Sequence, residues 1–334
     1  MFTTSEALEL VERAASAEAL FGPRSADPGR RREVRRRYHA LASVLHPDVV
    51  GPANARAHAA SANLTRLHHE WTHSTSVELK TKTGVYRIGE PFAVGSIANL
   101  YEADGPYVVK VVRNPALNPL LHGEWQALRR LERFTDVHHW LRPFYPRLLD
   151  TSGDVAKGSR AFTVLDPLVD GFVTLADVKN AFPRGLDGRD YAWMHRRLLK
   201  ALAGAHRIGL VHGAVTAENV MVHPEQHGIV LAGWSFAVEE GQRLLATSRT
   251  ISYPPEVQAG EPVTAATDVH MAHTLMIDLL RHEENRQIAF ARGCLQERPS
   301  RRPDAADLLR EYDELLEELY GPRVFRPFAL PKGE

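Results

Sequence analysis

The stretch that decides how the chain is interpreted is Leu210-Val211-His212-Gly213-Ala214-Val215-Thr216-Ala217-Glu218-Asn219-Val220-Met221-Val222. It places His212 and Asn219 seven residues apart, with apolar residues on both sides of the pair. A long amphipathic helix is predicted before it, over 191–208, and a strand after it, over 228–232. Ala214 lies between the two polar residues, and its methyl group cannot accept a proton.

The spacing of His212 and Asn219 resembles the catalytic loop of protein kinases, in which His-Arg-Asp is followed by four residues and then Asn. In that family the Asp accepts the proton of the substrate hydroxyl and the Asn holds a magnesium ion. Here Gly213 takes the place of the Arg, and Ala214 takes the place of the Asp. The resemblance therefore implies the frame of a phosphotransferase without its base.

Residues upstream of this loop match the nucleotide-binding half of a kinase in the same order. The run 85–103 resembles a glycine-loop hairpin, although of its three glycine positions only Gly95 is retained. Lys110 lies in a β-branched strand, 107–112, at the place of the kinase β3 lysine. Glu124 lies in the next helix, where the resemblance implies its pairing with Lys110. Taken singly, Lys110 fits an edge-strand charge and Glu124 a surface acid, but their order favours the kinase interpretation.

Residues downstream of the loop continue the resemblance. Gly233-Trp234-Ser235 falls where kinases carry the magnesium-binding Asp-Phe-Gly, so Gly233 replaces the metal ligand, and 229–237 contains no acid. Glu256 matches the Glu of Ala-Pro-Glu, and Arg302 the arginine that pairs with it. Asp268 matches the αF aspartate that anchors the catalytic loop. The resemblance implies structural roles for these last three residues.

Residues 1–76 predict a separate helical module. Ser5 is a candidate N-cap of a first helix, and a third helix is predicted from about Ala53 to Trp71. A second helix, 31–45, carries apolar residues at helical spacing, and six arginines lie between Arg30 and Arg37. His46-Pro47-Asp48 follows that helix directly.

This module resembles a J domain, the unit through which co-chaperones engage DnaK-type chaperones. The resemblance lies in Tyr38, Leu41-Ala42 and the tripeptide His46-Pro47-Asp48, set between a basic helix and an apolar helix. It implies that residues 30–48 bind the chaperone, with Arg31, Arg35 and the other arginines of the helix facing its acidic surface. His46, Pro47 and Asp48 would stimulate its ATP hydrolysis.

Two other interpretations of the basic helix remain open. A solvated basic helix that stops at an X-Pro step explains the charge and Pro47, but not the spacing of Tyr38 and the tripeptide. A nucleic-acid-binding arm also explains the arginines. It lacks interleaved aromatic residues, and the chain as a whole balances 41 Lys and Arg against 41 Asp and Glu. The sequence therefore favours a protein partner over nucleic acid.

Composition indicates the class of protein and the compartment in which it works. With 44% hydrophobic and 25% charged residues, the chain of 334 residues is typical of globular proteins. The single cysteine, Cys294, excludes an intramolecular disulfide and fits a reducing compartment. The N-terminus lacks a basic stretch before an apolar core, and no run of about 18 apolar residues occurs. We therefore expect a cytoplasmic protein without a membrane partner.

Histidines at helical spacing raise the question of a metal site. His69 and His73, and likewise His270 and His273, have spacings that could hold zinc. Neither pair has a cysteine nearby or a third ligand in view, so polar helix faces are favoured. No metal site is predicted.

The predicted fold class is α+β, with an all-α J-like module followed by a two-lobed kinase-like fold. The predicted boundaries are a J-like module in 1–76, a linker in 77–83, a kinase-like domain in 84–320 and a C-terminal tail in 321–334. Within the kinase-like domain, a β-rich N-lobe is predicted over 84–165 and an α-rich C-lobe over 169–320.

The favoured function is a J-domain co-chaperone joined to a catalytically impaired kinase-fold module that binds a partner or client. Loss of a general base alone costs about 10² to 10⁴ in rate, and Thr216 also replaces the loop lysine. Gly95, Lys110, Glu124 and Asn219 remain as nucleotide-binding candidates. With one metal-ligand position left, at Asn219, we expect weak ATP binding that is largely independent of magnesium. The alternative is a divergent Ser/Thr kinase that uses another carboxylate, with Glu218 nearest.

Overall fold

The computed structural model describes residues 2–23, 28–51, 54–72 and 77–331. It divides into two compact units, Met1–Pro115 with Leu149–Pro167, and Ala116–Leu148 with Leu168–Glu334. The first unit therefore holds both the helical module and most of the predicted N-lobe. Across the described ranges, no helix is both long enough and apolar enough to cross a membrane.

The helical module begins with a capped helix. Thr3 accepts a hydrogen bond from the Glu6 backbone N–H (3.3 Å), and the Glu6 carboxylate accepts one from the Thr3 backbone N–H (2.8 Å). This reciprocal pair forms a capping box. Ser5, the cap expected from the sequence, lies inside the helix instead, because only Thr3 has a Glu three positions later.

Within its described residues, the module has five helices: α1 Thr4–Arg13, α2 Ala17–Phe21, α3 Pro28–Leu45, α4 Pro47–Val50 and α5 Ala55–Thr72. Helices α3 and α5 pack through the apolar residues that the spacing predicted, among them the fully buried Leu41, Leu64 and Leu67. The Trp71 indole N–H donates to the carbonyl of Gly22 (2.8 Å), which ties the end of α5 to the end of α2. Ala53, the expected start of the third helix, lies outside the described residues.

The rest of the first unit is a curled antiparallel sheet. Its strands are β1 Val77–Lys80, β2 Val85–Ile88, β3 Ala93–Val94, β4 Ala98–Ala103, β5 Tyr107–Val112, β6 Leu148–Thr151 and β7 Phe162–Leu165. The strand order is β1-β2-β4-β5-β7-β6, with β3 also paired to β4. The segment 77–83, expected as a linker, thus contains a strand and the turn that returns to β2. Lys80 pairs with Val85 across that turn.

One carboxylate fixes this turn to the other edge of the sheet. Asp150 on β6 accepts hydrogen bonds at one oxygen from Thr81 (2.6 Å), Thr83 (2.5 Å) and Tyr86 (2.9 Å). Burial raises the pKa of Asp150, but these hydroxyl groups and the Thr151 N–H outweigh it, and the pKa lies below its usual value. No local pattern predicts this cluster, since Thr81 and Asp150 are far apart in the chain.

The second unit is mainly helical. Its helices are α6 Asn118–Val137, α7 Leu175–Ala181, α8 Gly188–His206, α9 Pro255–Gln258, α10 Ala265–Leu279, α11 Asn285–Gly293 and α12 Ala305–Tyr320. Its strands are β8 Val173–Thr174, β9 Leu210–Val211, β10 Val220–His223, β11 Gly228–Leu231 and β12 Val238–Glu239. Strands β11, β10 and β8 form one small sheet, and β12 pairs with β9.

Two features of this unit differ from the sequence-based boundaries. Helix α6, expected in the N-lobe, belongs to the second compact unit because it packs on the 3₁₀ helix Trp234–Phe236. The expected tail after α12 is anchored: Phe328 is buried, and its ring stacks on Phe182 at 5.6 Å.

Candidate functional site

The loop between β9 and β10 is held by a buried carboxylate. Asp268 on α10 accepts hydrogen bonds from the backbone N–H groups of His212 (2.7 Å) and Gly213 (2.8 Å). The His206 ring nitrogen Nε2 lies 2.9 Å from the same carboxylate. A buried carboxylate is tolerated only when such donors replace its hydration. Asp268 therefore acts as the anchor of the loop, in the role that the kinase resemblance implied.

His212 is committed to holding the loop. Its Nε2 lies 2.8 Å from the carbonyl oxygen of Ala232, and its Nδ1 lies 3.2 Å from the backbone N–H of Ala214. A carbonyl only accepts and an N–H only donates, so the ring is neutral with its proton on Nε2. Its edge also packs on Trp234, with ring centroids 4.6 Å apart. Both ring nitrogens are occupied, so His212 is a structural residue and cannot replace the missing base.

Ala214, Asn219 and Gly233 are brought together, and the three leave no acidic group among them. Ala214 is fully buried, and its carbonyl accepts a hydrogen bond from the Asn219 amide nitrogen (2.9 Å). Gly233 has a φ of 81°, and a Cβ built on it would lie 2.3 Å from the Asn219 side-chain oxygen. No side chain fits at position 233 while Asn219 stays where it is. The position of Asn219 therefore leaves no room at residue 233 for the aspartate that kinases carry there.

The segment after Gly233 is tied to helix α6. Ser235 donates a short hydrogen bond to the Glu124 carboxylate, and both side chains are buried. The Trp234 indole donates to the carbonyl of Leu231 (2.7 Å). The contact with Ser235 was not foreseen, because a serine in this place carries no distinctive pattern. The pairing of Glu124 with Lys110 stays a prediction.

A buried ion pair lies beside α10. Arg302 donates to both carboxylate oxygens of Glu256, at 2.7 and 2.9 Å, and Thr267 donates to the same carboxylate at 2.9 Å. Burial raises the pKa of Glu256, but the hydrogen bonds from Arg302 and Thr267 outweigh it and lower the pKa below its usual value. The structure thus brings together the two residues that the sequence paired, as a bidentate, desolvated contact.

The remaining nucleotide-binding candidates lie on the sheet of the first unit. Lys110 is half-buried on β5, between Leu100 on β4 and Thr163 on β7. The Gly95 N–H donates to the carbonyl of Ala98 (3.0 Å), which closes a tight turn between β3 and β4. A Cβ on Gly95 would lie 2.8 Å from that carbonyl, so the turn requires glycine. The Gly95 N–H is engaged within the hairpin itself.

The residues assigned to the chaperone fall into different environments. Tyr38 stacks on His68 of α5 with ring centroids 4.1 Å apart, so its ring belongs to the helical hairpin. His46 is exposed at the end of α3, and its carbonyl accepts hydrogen bonds from the N–H groups of Val49 (2.9 Å) and Val50 (3.1 Å) in α4. The side chains of Pro47 and Asp48 lie outside the described part of the chain.

The sequence predicted that Arg31 and Arg35 lie on an outer face, free to meet a chaperone. In the structure both side chains instead contact other residues of the same chain. Arg31 donates a short hydrogen bond to the carbonyl of Pro91, and Arg35 forms an ion pair with Glu102 on β4. The partners could not be foreseen, because they lie about sixty residues away, in the sheet of the same compact unit. Of the other arginines on α3, three are exposed: Arg32, Arg36 and Arg37.

The histidines at helical spacing have other partners. His69 lies 2.9 Å from the carboxylate of Asp104, and His73 is outside the described residues. His273 is buried and contacts His195. Over the described ranges, no group of three or more His, Cys, Asp or Glu side chains is arranged to hold a metal ion.

Comparison with solved structures places the fold. The structure of vaccinia related kinase 3 superposes with a TM-score of 0.57 at 19% identity, covering 73% of this chain and 90% of that one. A double mutant of the Mycobacterium tuberculosis PknI kinase domain gives 0.52 at 22% identity, covering 69% and 95%. The PknI kinase domain itself gives 0.50 at 20% identity, with the same coverage.

Sequence comparison adds no closer assignment. Neither a protein-family model nor a curated protein matches the chain. At identities of 19 to 22%, the structural neighbours establish the fold alone. The anchored loop, the Glu256–Arg302 pair and these superpositions agree with one another, and the prediction of a kinase-like fold is confirmed.

Proposed function

We propose that the kinase-like domain is a binding module that does not transfer phosphate. The observation that carries this proposal is the packing of Asn219 against Ala214 and Gly233, which leaves no carboxylate where a base and a metal ligand are needed. Phosphoryl transfer depends on positioning and on charge neutralisation by metal. The nearest other acid on the loop, Glu218, is exposed and has no feature that favours it as a replacement.

We further propose that the helical module is a J domain that engages a DnaK-type chaperone. Support comes from the packed α3–α5 hairpin and from the exposed His46 where α3 ends. It also comes from the exposed arginines on α3, which suit an acidic partner surface. In this proposal the chaperone is recruited by residues 30–48, while the kinase-like domain binds a client or partner protein.

The chaperone assignment predicts a specific loss of function. The full-length protein should accelerate ATP hydrolysis by a purified DnaK-type chaperone, and His46→Gln should abolish the acceleration without changing the melting temperature. As a matched control, His282→Gln removes an exposed histidine of the second unit and should leave the acceleration intact. Equal stimulation by the wild type and His46→Gln would exclude the J-domain assignment.

Nucleotide is a second proposed ligand of the kinase-like domain. Lys110 would contact the phosphates of ATP, but Gly233 removes the stronger of the two metal-ligand positions. We therefore expect ATP at millimolar concentration to raise the melting temperature slightly, and equally with magnesium or EDTA, because ligand binding stabilises the folded state by mass action. Lys110→Ala should lose the shift. A shift that appears only with magnesium would contradict a site without a metal anchor.

A further inference from the structure

The basic face of α3 meets the glycine-loop hairpin through Arg35. The name hairpin is restricted here to residues 91–104, the part of the glycine-loop region that contains β3 and β4. The Arg35 guanidinium pairs with the Glu102 carboxylate and lies 4.4 Å from the centroid of the Phe92 ring. The side chains of Arg35 and Glu102 are only 33% and 25% exposed, so both charges are largely withdrawn from water. An arginine held between a carboxylate and an aromatic face satisfies both preferences of a guanidinium group.

Two further contacts join the helices to the hairpin on either side of Arg35. Arg31, one turn earlier on α3, donates to the carbonyl of Pro91 next to Phe92. His69 on α5 lies 2.9 Å from the Asp104 carboxylate, just beyond the end of β4. Contacts from two helices thus reach both ends of the hairpin. Such a spread of contacts defines an orientation, which a single surface ion pair would not do.

These contacts divide the arginines of α3 into separate groups. Arg30 is used within the module, where it pairs with Glu33 (2.5 Å) and donates to the carbonyl of Phe21 (2.9 Å). Arg31 and Arg35 are turned to the hairpin, whereas Arg32, Arg36 and Arg37 are exposed. Only part of the basic face is therefore presented to a partner.

We propose that the hairpin is an autoinhibitory latch on the chaperone-binding face of α3. The Arg35 guanidinium cannot pair with Glu102 and with a partner carboxylate at the same time, so the closed contact competes with the chaperone. The chaperone selects the open state, and its apparent affinity is reduced by the fraction of molecules that are open. This proposal rests on the proposed J-domain function, but the latch contact can be measured without any chaperone.

Hydrogen exchange on the full-length protein tests the contact. Glu102→Arg should place like charges together and raise amide exchange in both 30–40 and 91–104. The matched control is Asp154→Arg, which reverses an exposed charge in the loop between β6 and β7 of the same unit and should leave both segments as in the wild type. Combining Glu102→Arg with Arg35→Glu restores opposite charges and should restore protection. Unchanged exchange in Glu102→Arg would overturn the latch.

Chaperone stimulation tests the inhibition. Glu102→Arg should reach half-maximal stimulation of a DnaK-type ATPase at a concentration about 3- to 10-fold lower than the wild type, given the strength of a part-buried ion pair with a cation–π contact. Asp154→Arg should behave as the wild type. If exchange shows opening but the half-maximal concentration does not fall, the inhibitory role is wrong. If no variant stimulates at all, the J-domain function fails together with the inhibitory role, while the exchange result still decides whether the contact exists.

Discussion

Replacing Gly233 by alanine should destabilise the second unit by about 2 to 4 kcal/mol, the sum of left-handed backbone strain and overpacking. The backbone at Gly233 has φ 81° and ψ 36°, in the left-handed region that disfavours a Cβ. The new methyl carbon would also lie 2.3 to 2.7 Å from three atoms of the Asn219 amide group. Denaturant unfolding followed by tryptophan fluorescence would measure the change.

Gly241→Ala is the matched control for this effect. Gly241 has nearly the same φ, 84°, but a Cβ there would meet no atom within 4 Å. Its substitution should cost about 1 kcal/mol, from backbone strain alone. A second variant isolates the contact: in an Asn219→Ala background, Gly233→Ala should cost no more than Gly241→Ala, because the clashing amide is gone. Equal costs for the two glycines in the wild-type background would contradict the tight packing around position 233.

Acidification should destabilise the second unit through a buried pair of histidines. His195 and His273 are fully buried, and their Nε2 atoms lie 3.2 Å apart. His273 Nδ1 lies 2.7 Å from the carbonyl of Val269, so that nitrogen carries the proton and its Nε2 must accept from His195. The Tyr191 hydroxyl then donates to His195 Nδ1 (3.4 Å). This one-way chain of donors holds both rings neutral.

The direction of the pH dependence follows from these neutral rings. Burial lowers the pKa of His273 to about 4, and burial together with His273 lowers the pKa of His195 well below its usual value. The unfolded chain therefore takes up protons below about pH 6.5 that the folded chain does not. Stability is fully present above that pH and is lost as the pH falls toward 4, by about 3 kcal/mol for His273 alone.

Urea unfolding between pH 7.5 and pH 4.5 measures this loss. The free energy of unfolding should fall more steeply below pH 6.5 in the wild type than in His273→Gln, which has no imidazole to protonate at that position. The exposed-site variant His282→Gln should retain the wild-type slope. A slope that His273→Gln leaves unchanged would show that the buried pair does not govern acid stability.

Local pattern was enough to predict much of the kinase-like half. The strand around Lys110, the helix before His212 and the strand before Gly233 were expected within a few residues of where they lie. Each is a continuous periodic segment, so the residues themselves carry the signal. The Glu256–Arg302 partnership was also foreseen, but only through the resemblance to kinases.

Other features depend on residues that are distant in the sequence. Ser235 donates a hydrogen bond to Glu124, and Asp150 accepts hydrogen bonds from Thr81 and Thr83 at the first turn of the sheet. The local sequence around Ser235 or Asp150 does not predict these partners. The strand β1 was missed for a different reason. It is a short edge strand with little burial, so its alternation is weak, although Gly84 before the next strand was a turn signal.

The exposed basic face expected on α3 shows the limit most clearly. Six arginines on one helix suggest an external partner when only the sequence is known. The structure gives Arg35 an internal partner in Glu102. A cluster of arginines indicates that a helix binds acidic groups. It does not indicate whether those groups lie in the same chain or in another protein.

The most direct test of a kinase-like fold without phosphotransfer is incubation of the purified full-length protein with γ-labelled ATP and magnesium, with and without generic protein substrates. Loss of a general base lowers the rate by about 10² to 10⁴ on its own, and loss of the metal ligand at Gly233 adds to it. We predict that label on the protein or on a substrate does not exceed that found with Lys110→Ala. Label that appears with the wild type and disappears in Lys110→Ala would contradict the account.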